Sequence, residues 1–525
     1  MTIREQLNAI ASRRVLILDG AMGSMIQALG LTEEDFRGSN CACTKERFAG
    51  YPPLKGCNDL LCLTKPEAIS AIHDAYLEAG ADIIATCSFN STKISLSEYG
   101  LGDFAYEISA AAASVARKCA DKFSTPDKPR FAAGSIGPTA KSASIPPDFN
   151  DLSKRAVYWN ELEAAFYDNA RGLLDGGADI FLIETFFDTL NIKAALFAIS
   201  RLLKERNADV PVMVSATVSG DSPRLLSGQT LEAFCISVLH AKPWAVGLNC
   251  SFGAEKLLPH VRLLAGIAPC LVSAHPNAGL PNQSGAYDET PETMSANIEA
   301  YLKEGLVNIA GGCCGSAPAH IAAIAEKAAG YKPRPLPHIA PFIRLAGLEP
   351  LVKENPADLV IAWEKKKFCE NQEFMQFLNE GKYEDAVDAA RDIADEGAEI
   401  IDINTDSAKP DPEKAMHEFL GLALADPYIA KIPVMLCSLR WNVLEAGLKC
   451  LQGKGLVNSI DLQNGEEEFL RKAELIRRYG AVAMIALADE KGQAQTQQRK
   501  NEIAERVSKL LADIDFPAEN IIFCG

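Results

Sequence analysis

The sequence predicts an α/β protein: a (β/α)8 TIM barrel followed by a second, incomplete TIM-type barrel. Three observations predict it. First, one helix-to-strand joint recurs, as Leu77-Glu-Ala-Gly-Ala-Asp-Ile-Ile84, Leu174-Asp-Gly-Gly-Ala-Asp-Ile-Phe181 and Asp395-Glu-Gly-Ala-Glu-Ile-Ile401. In each, an amphipathic helix runs into a glycine suited to a C-cap, and a buried strand begins. Second, the strands are apolar throughout, as parallel strands covered on both faces are. Third, polar residues gather just past their C-terminal ends, where a barrel keeps its chemistry.

Residues 1–332 hold eight strand candidates: Val15–Asp19, Ile83–Phe89, Phe131–Ile136, Ile180–Glu184, Val212–Thr217, Val246–Cys250, Leu271–His275 and Val307–Gly311. Helical periodicity fills the gaps, for example Lys65–Ala79 behind a Thr64 cap and Leu190–Glu205. Eight such units in this length fit a barrel with insertions. A doubly wound sheet is the competitor, but no Gly-x-Gly-x-x-Gly follows the first strand. Three prolines in Tyr331-Lys-Pro-Arg-Pro-Leu-Pro-His338 read as a stiff linker, so 333–350 joins the first domain to a second at 351–525. There the strand candidates are Leu359–Trp363, Ile400–Asn404, Pro433–Leu436, Val457–Ile460, Val482–Ala486 and Ile521–Cys524. A closed barrel needs two more, so a fragment of a longer chain is expected.

The chain has 525 residues, 48% hydrophobic and 23% charged, which fits a soluble protein of two or more domains. Its formal charge of −17 argues against non-specific binding to nucleic acid or an anionic membrane surface. No apolar stretch approaches a membrane span, and the first residues do not read as a signal peptide. Fifteen cysteines in a chain without an export signal suggest a reduced, cytoplasmic setting. Cys41, Cys43, Cys57 and Cys62 match no zinc spacing and read as incidental thiols.

Chemistry concentrates at the strand ends. Strand one ends in Asp19-Gly20, four in Glu184-Thr185, six in Asn249-Cys250, seven in His275-Pro276-Asn277, and eight in the run Gly311-Gly-Cys-Cys-Gly315. Cys250, Cys313 and Cys314 therefore come from strands six and eight, distant in sequence but close in a barrel. Three thiols with adjacent glycines make a site for a thiophilic metal, and three protein ligands leave the open position of a catalytic zinc. The competing reading is three small buried apolar residues. Asp19 reads either as a substrate carboxylate or as a turn residue, and Glu184 as a substrate carboxylate or a buried ion-pair partner.

Together these motifs resemble the cobalamin-dependent methionine synthase family. Leu18-Asp-Gly-Ala-Met-Gly23, Ile183-Glu-Thr185, Gly247-Leu-Asn-Cys250, Asn277-Ala-Gly-Leu-Pro-Asn282 and Gly311-Gly-Cys-Cys-Gly315 follow the order of its homocysteine-binding domain. The resemblance implies a zinc-dependent homocysteine S-methyltransferase, with zinc on Cys250, Cys313 and Cys314. It makes Asn277 the candidate fourth ligand without substrate, and Asp19 and Glu184 the holders of the substrate's amino group. It also implies methylcobalamin as the donor, carried by a missing module or a corrinoid-binding partner, with methyltetrahydrofolate as the ultimate methyl source. Residues 345–525 resemble most of the pterin-binding domain, through Asp402-Ile-Asn-Thr-Asp406, Trp441, Gly447-Leu-Lys-Cys450, Gln452-Gly-Lys-Gly455 and Val457-Asn-Ser459. Glu364, Asp402, Asn404 and Asn458 are the implied pterin contacts. Lys367 replaces a pterin-contacting Asn, and Cys437 and Cys524 replace Asp at two strand ends. A thiol is a poor acceptor for the pterin N–H edge, which counts against methyltetrahydrofolate binding. Three alternatives remain open: a thiol methyltransferase using another donor, a zinc-loaded scaffold that docks a separate corrinoid protein, and a structural zinc site closed by four protein ligands.

Overall fold

Eight apolar stretches of the first part of the chain form one parallel sheet that curls into a ring. The structure is a computed structural model and describes residues 1–38, 46–148, 150–220, 222–283, 285–355 and 372–525. The strands are β1 (Leu16–Ile17), β2 (Ile83–Ala85), β3 (Phe131–Ile136), β4 (Ile180–Phe186), β5 (Val212–Ala216), β6 (Ala245–Gly253), β7 (Leu271–Asn277) and β8 (Ile309–Ala310). Their order is β1-β8-β7-β6-β5-β4-β3-β2. The bridge Leu18–Ile83 joins the two ends, so the barrel is closed along a short seam. This is the α/β barrel the recurring joint predicts. The joint's glycines Gly80 and Gly177 take φ of +107° and +93°, the left-handed turn that lets a helix stop and the chain re-enter the sheet.

The barrel interior is filled at its N-terminal end by side chains such as Leu16, Phe131, Leu182 and Met213. The helix Ile3–Ala11 closes that end, with Leu7 fully buried in the same cluster. Asn8 Oδ1 accepts a 2.8 Å hydrogen bond from the Trp244 indole, which fixes the plug to the barrel. The opposite end is thereby left as the place for a site.

Several local readings change, among them the second strand, read to Phe89 but ending at Ala85. The helix after the first insertion runs Pro66–Glu78 with Lys65 at its N-cap, not behind Thr64. Pro66 is pre-set for the first helical position, and Thr64 ends a short preceding helix, its Oγ1 donating to Leu60 O. The helix read as Leu190–Glu205 spans Thr189–Arg206, capped by Asp188. Strand β6 continues past Cys250 to Gly253, because a register shift between Asn249 and Gly253 carries the chain onward beside β7.

The proline-rich run after the barrel is pinned rather than free. Arg334 is 4% exposed, and its guanidinium donates to the carbonyls of Ala265, Ala268 and Cys270. Next comes an antiparallel pair, β9 (Ile343–Ala346) and β10 (Pro350–Lys353). The second unit contains β11 (Ile401–Asn404), β12 (Val434–Cys437), β13 (Leu456–Ile460), β14 (Val482–Ala486), the small hairpin β15 (Ala488–Asp489) and β16 (Gly492–Gln493), and β17 (Ile521–Cys524). Its main sheet is parallel and sequential, β11-β12-β13-β14-β17. Among the described residues it is a five-stranded arc rather than a ring. The strand read at Leu359–Trp363 lies outside the described residues.

The two units pack together. Lys193 Nζ, from the first, donates to the carbonyls of Leu451 and Gly453 in the second at 2.7 and 2.8 Å. Trp159 and Phe197 pack on Tyr479 with ring centroids 5.3 and 4.6 Å apart.

Candidate active site

The C-terminal strand ends of the barrel enclose a cavity of about 240 Å³, lined among others by Asp19, Glu184, Cys250, His275, Cys313 and Cys314. Cys250 sits on β6, and Cys313 and Cys314 follow β8. Their three sulfurs lie within 4.8 Å of one another, the one such group of potential metal ligands among the described residues. Cys250 Sγ and Cys314 Sγ are 3.8 Å apart. Thiolates on a tetrahedral zinc, each about 2.3 Å from the ion, stand roughly 3.8 Å from each other. The spacing and the all-sulfur donor set fit that metal.

Backbone geometry aims these thiols. Cys250 and Ser251 take φ of +62° and +63°, and Thr185 at the end of β4 takes +63°. Left-handed backbone in non-glycine residues persists only where surrounding contacts hold it, and such residues gather at functional sites. Asn249 supplies much of that hold. It is fully buried; its Oδ1 accepts from Thr185 N at 3.0 Å and Ser215 Oγ at 2.6 Å, and its Nδ2 donates to Thr185 Oγ1 at 2.7 Å and to Cys313 Sγ at 3.6 Å. One amide thus ties β4, β5 and β6 to the cysteine pair. Asn277 Oδ1 accepts from the Cys314 N–H at 3.1 Å, which places its amide beside the sulfurs.

Beyond the Cys-Cys pair, Gly315 takes φ +79°, and a Cβ there would stand 2.2 Å from Tyr287 Cγ. Only glycine lets the loop pass under that ring. Hydrogen bonding among the three thiols favours the thiolate on Cys250 and pushes its pKa down, while Cys313 and Cys314 are pushed up.

Carboxylates line the same cavity. Asp19 is 3% exposed, and its Oδ2 accepts from Ala85 N at 2.9 Å. Burial, with Glu184 nearby, holds its pKa well above the carboxylate range. Burial raises Glu184 to about 7, against a hydrogen bond donated by Ser135 Oγ that lowers it. These are carboxylates kept short of water, and a bound cation would be their natural partner. Asp59 also lines the cavity and was not singled out from the sequence. It is buried, raised to about 6 by that burial, and accepts from Asn90 N at 2.6 Å. It lies in a short 3-10 turn, Asn58–Leu60, outside any strand, so strand-end reasoning passes over it. His275 is 1% exposed and pushed down to about 4 by burial, hence neutral near pH 7.

In the second unit, Asp402 is buried on β11 and Asn404 ends that strand. Asn404, Cys437 and Asn458 pair side by side across β11, β12 and β13, and Asn458 Nδ2 donates to Cys437 Sγ at 3.6 Å. Cys524 ends β17 opposite Ala486. Glu364 and Lys367 lie outside the described residues, as do Cys41 and Cys43. Cys57 and Cys62 are buried thiols. No helix among the described residues is long and apolar enough to cross a membrane.

Residues 16–328 match the family model of homocysteine S-methyltransferase, and residues 369–523 match that of pterin binding enzyme. Among solved structures, the metallated form of the homocysteine methyltransferase MmuM from Escherichia coli is 21% identical, with a TM-score of 0.46; the match covers 62% of this chain and 99% of that one. Its oxidized form is 22% identical at a TM-score of 0.45, covering 60% and 96%. A B12-independent methionine synthase from Shewanella sp. W3-18-1, in complex with selenomethionine, is 15% identical at a TM-score of 0.30, covering 51% and 88%.

Proposed function

The chain belongs to the homocysteine S-methyltransferase family, and on that premise we propose that it methylates the sulfur of homocysteine at a zinc site formed by Cys250, Cys313 and Cys314. The observation that carries this reading is the group of three sulfurs within 4.8 Å, lining one cavity with buried carboxylates. Zinc bound there supplies Lewis acidity that turns a coordinated thiol into thiolate at neutral pH.

The chain's own residues do the rest. Asp19 and Glu184 take the substrate's ammonium group, and charge-assisted hydrogen bonds to it orient the substrate with its sulfur toward the cysteines. Asn249 keeps the cysteine-bearing strand ends in register with Glu184's strand. Asn277 is the side chain that could fill the metal's open position when substrate is absent. His275 remains neutral in this wall, so it adds no cation to compete with the substrate's ammonium.

We read methylcobalamin as the methyl donor, presented by a corrinoid-binding module or protein, with methyltetrahydrofolate as the ultimate source. On this reading residues 1–332 are the catalytic domain, 333–350 the connection, and 351–525 a pterin-binding-like domain whose five-stranded arc is part of an incomplete barrel. Asp402, Asn404, Asn458 and Glu364 would be its pterin contacts. The Cys437 thiol beside Asn458 favours a second reading, in which a different methyl donor serves the same zinc site.

The test is homocysteine-dependent demethylation of free methylcobalamin, followed by absorbance. Turnover should disappear on zinc removal, return on zinc addition, and be absent in Cys313→Ala. Equal turnover with and without zinc would reject the metal role.

A further inference from the structure

The helix Pro318–Ala328, which follows the cysteine turn, starts behind Ala317, a residue with no side-chain oxygen to cap it. His320, at its third position, supplies the reciprocal bond: its Nδ1 accepts from Ala317 N at 3.1 Å, as a Glu or Gln would in a capping box. The other ring nitrogen is also committed, with Nε2 2.8 Å from Glu289 O. A backbone N–H only donates and a carbonyl only accepts, so the two partners assign a neutral ring with its proton on Nε2. The side chain is 9% exposed, so water competes little for either bond.

The two bonds reach different loops. Ala317 directly follows the turn that carries the thiols, in which Ser316 N and Oγ both donate to Cys313 O, at 3.1 and 2.6 Å. Glu289 lies two residues past Tyr287, the ring that rests on Gly315. Much of that stretch is held to itself: Asn282 Nδ2 donates to the Asp288 carboxylate at 2.9 and 3.1 Å, and Asn282 Oδ1 accepts from Ala286 N at 3.0 Å. Those bonds shape the loop, whereas His320 Nε2 ties it to the cysteine side. We propose that His320 is a positioning residue for the three-sulfur site. One rigid ring bonds the exit of the cysteine turn to the loop after β7, which keeps Tyr287 seated on Gly315 and fixes where Cys313 and Cys314 present their sulfurs. The consequence for a metal rests on the zinc reading above; the clamp itself belongs to the metal-free chain.

Three substitutions separate this clamp from simple helix capping. His320→Asn keeps an acceptor near the place of Nδ1 but loses the reach to Glu289 O. His320→Gln offers an acceptor and a donor that reach both partners, and His320→Leu offers neither. The readout is the initial rate of iodoacetamide alkylation of the metal-free chain, followed cysteine by cysteine by mass spectrometry. Losing one buried hydrogen bond should raise the opened population about tenfold. Cys313 and Cys314 should therefore react about tenfold faster in the Asn and Leu chains, and near the parental rate in the Gln chain. Cys235, buried on the helix Leu231–Val238, should keep the parental rate in all of them. Zinc affinity, by chelator competition, should fall about tenfold in the Asn and Leu chains only. A parental alkylation rate in the Asn chain would show that His320 merely caps a helix, and would overturn the proposal. So would a Gln chain no slower than the Leu chain, Cys235 accelerating in step, or unaltered affinity in a chain that binds zinc. A parent that binds no zinc would instead sink the metal reading, and the alkylation rates would still decide the clamp.

Discussion

Asn249's four contacts help hold the left-handed backbone that follows it within β6, where Cys250 at φ +62° would not stay unaided. A position of this kind costs a non-glycine residue about 1–3 kcal/mol, so the surrounding hydrogen bonds must over-determine it. The same logic separates the carboxylates by task. Glu184, buried and raised to about 7, gains most from a cationic partner, whereas Asp59 is already satisfied by a backbone N–H. Glu184→Gln should therefore lower kcat/KM for homocysteine by about 30-fold or more, the equivalent of ~2 kcal/mol for a charge-assisted hydrogen bond. Turnover of 4-mercaptobutyrate, which has the thiol but no ammonium, should scarcely change. An equal loss for both thiols would remove Glu184 from ammonium recognition. The three cysteines and both acidic strand ends were readable because each closes a run of apolar residues. Asn249's linking role was not, since it depends on what β4, β5 and β8 bring to it.

Among the elements, the loop after β8 is the most constrained, for it must deliver two adjacent thiols and then pass beneath Tyr287. Gly315 makes this possible twice over, by its φ of +79° and by having no Cβ where Tyr287 Cγ lies 2.2 Å away. Gly315→Ala should push the loop and Tyr287 apart, costing about 1–3 kcal/mol in stability and displacing Cys314. Zinc affinity, measured by competition with a chromophoric chelator, should fall; unchanged affinity would mean that the loop adapts without moving its sulfurs. The run of glycines around the cysteine pair already hinted at close approach, but the ring that demands it is 28 residues upstream (315 − 287) and no periodicity connects the two. Strand positions were legible to within a few residues because buried parallel strands are uniformly apolar. Helix starts were less so: at Thr64 a favourable capping residue was outweighed by Pro66, whose fixed backbone claims the first helical turn.

For the whole molecule, the contact between units sets the remaining behaviour, and its interior is short of negative charge. Lys193 is 2% exposed and burial lowers its pKa to about 7. Lys454, whose Nζ donates to Asn520 Oδ1 at 2.6 Å, is lowered to about 8 by the same cause. His240 is lowered to about 3, by burial first and by Lys193 next. A neutral lysine amine has two N–H donors, and Lys193 faces two carbonyls, Leu451 O and Gly453 O. The uncharged form thus satisfies both without leaving a buried charge unpaired. The sign follows from proton counts. Between pH 7 and about 10.4, the ordinary lysine value, the unfolded chain holds a proton on this amine that the folded chain does not, so stability rises with pH. Lys454 adds a term of the same sign above pH 8. Below pH 7 Lys193 is protonated in both states and its contribution levels off. Melting temperatures should therefore include a component that climbs from pH 7 to pH 9. In Lys193→Met that component should shrink, while the two carbonyls left without a donor lower stability at every pH by about 1–3 kcal/mol. Calorimetric scans of the two chains across this range decide the matter. Parallel pH profiles would show that Lys193 enters the interface already charged, and that its carbonyl contacts, not its deprotonation, hold the units together.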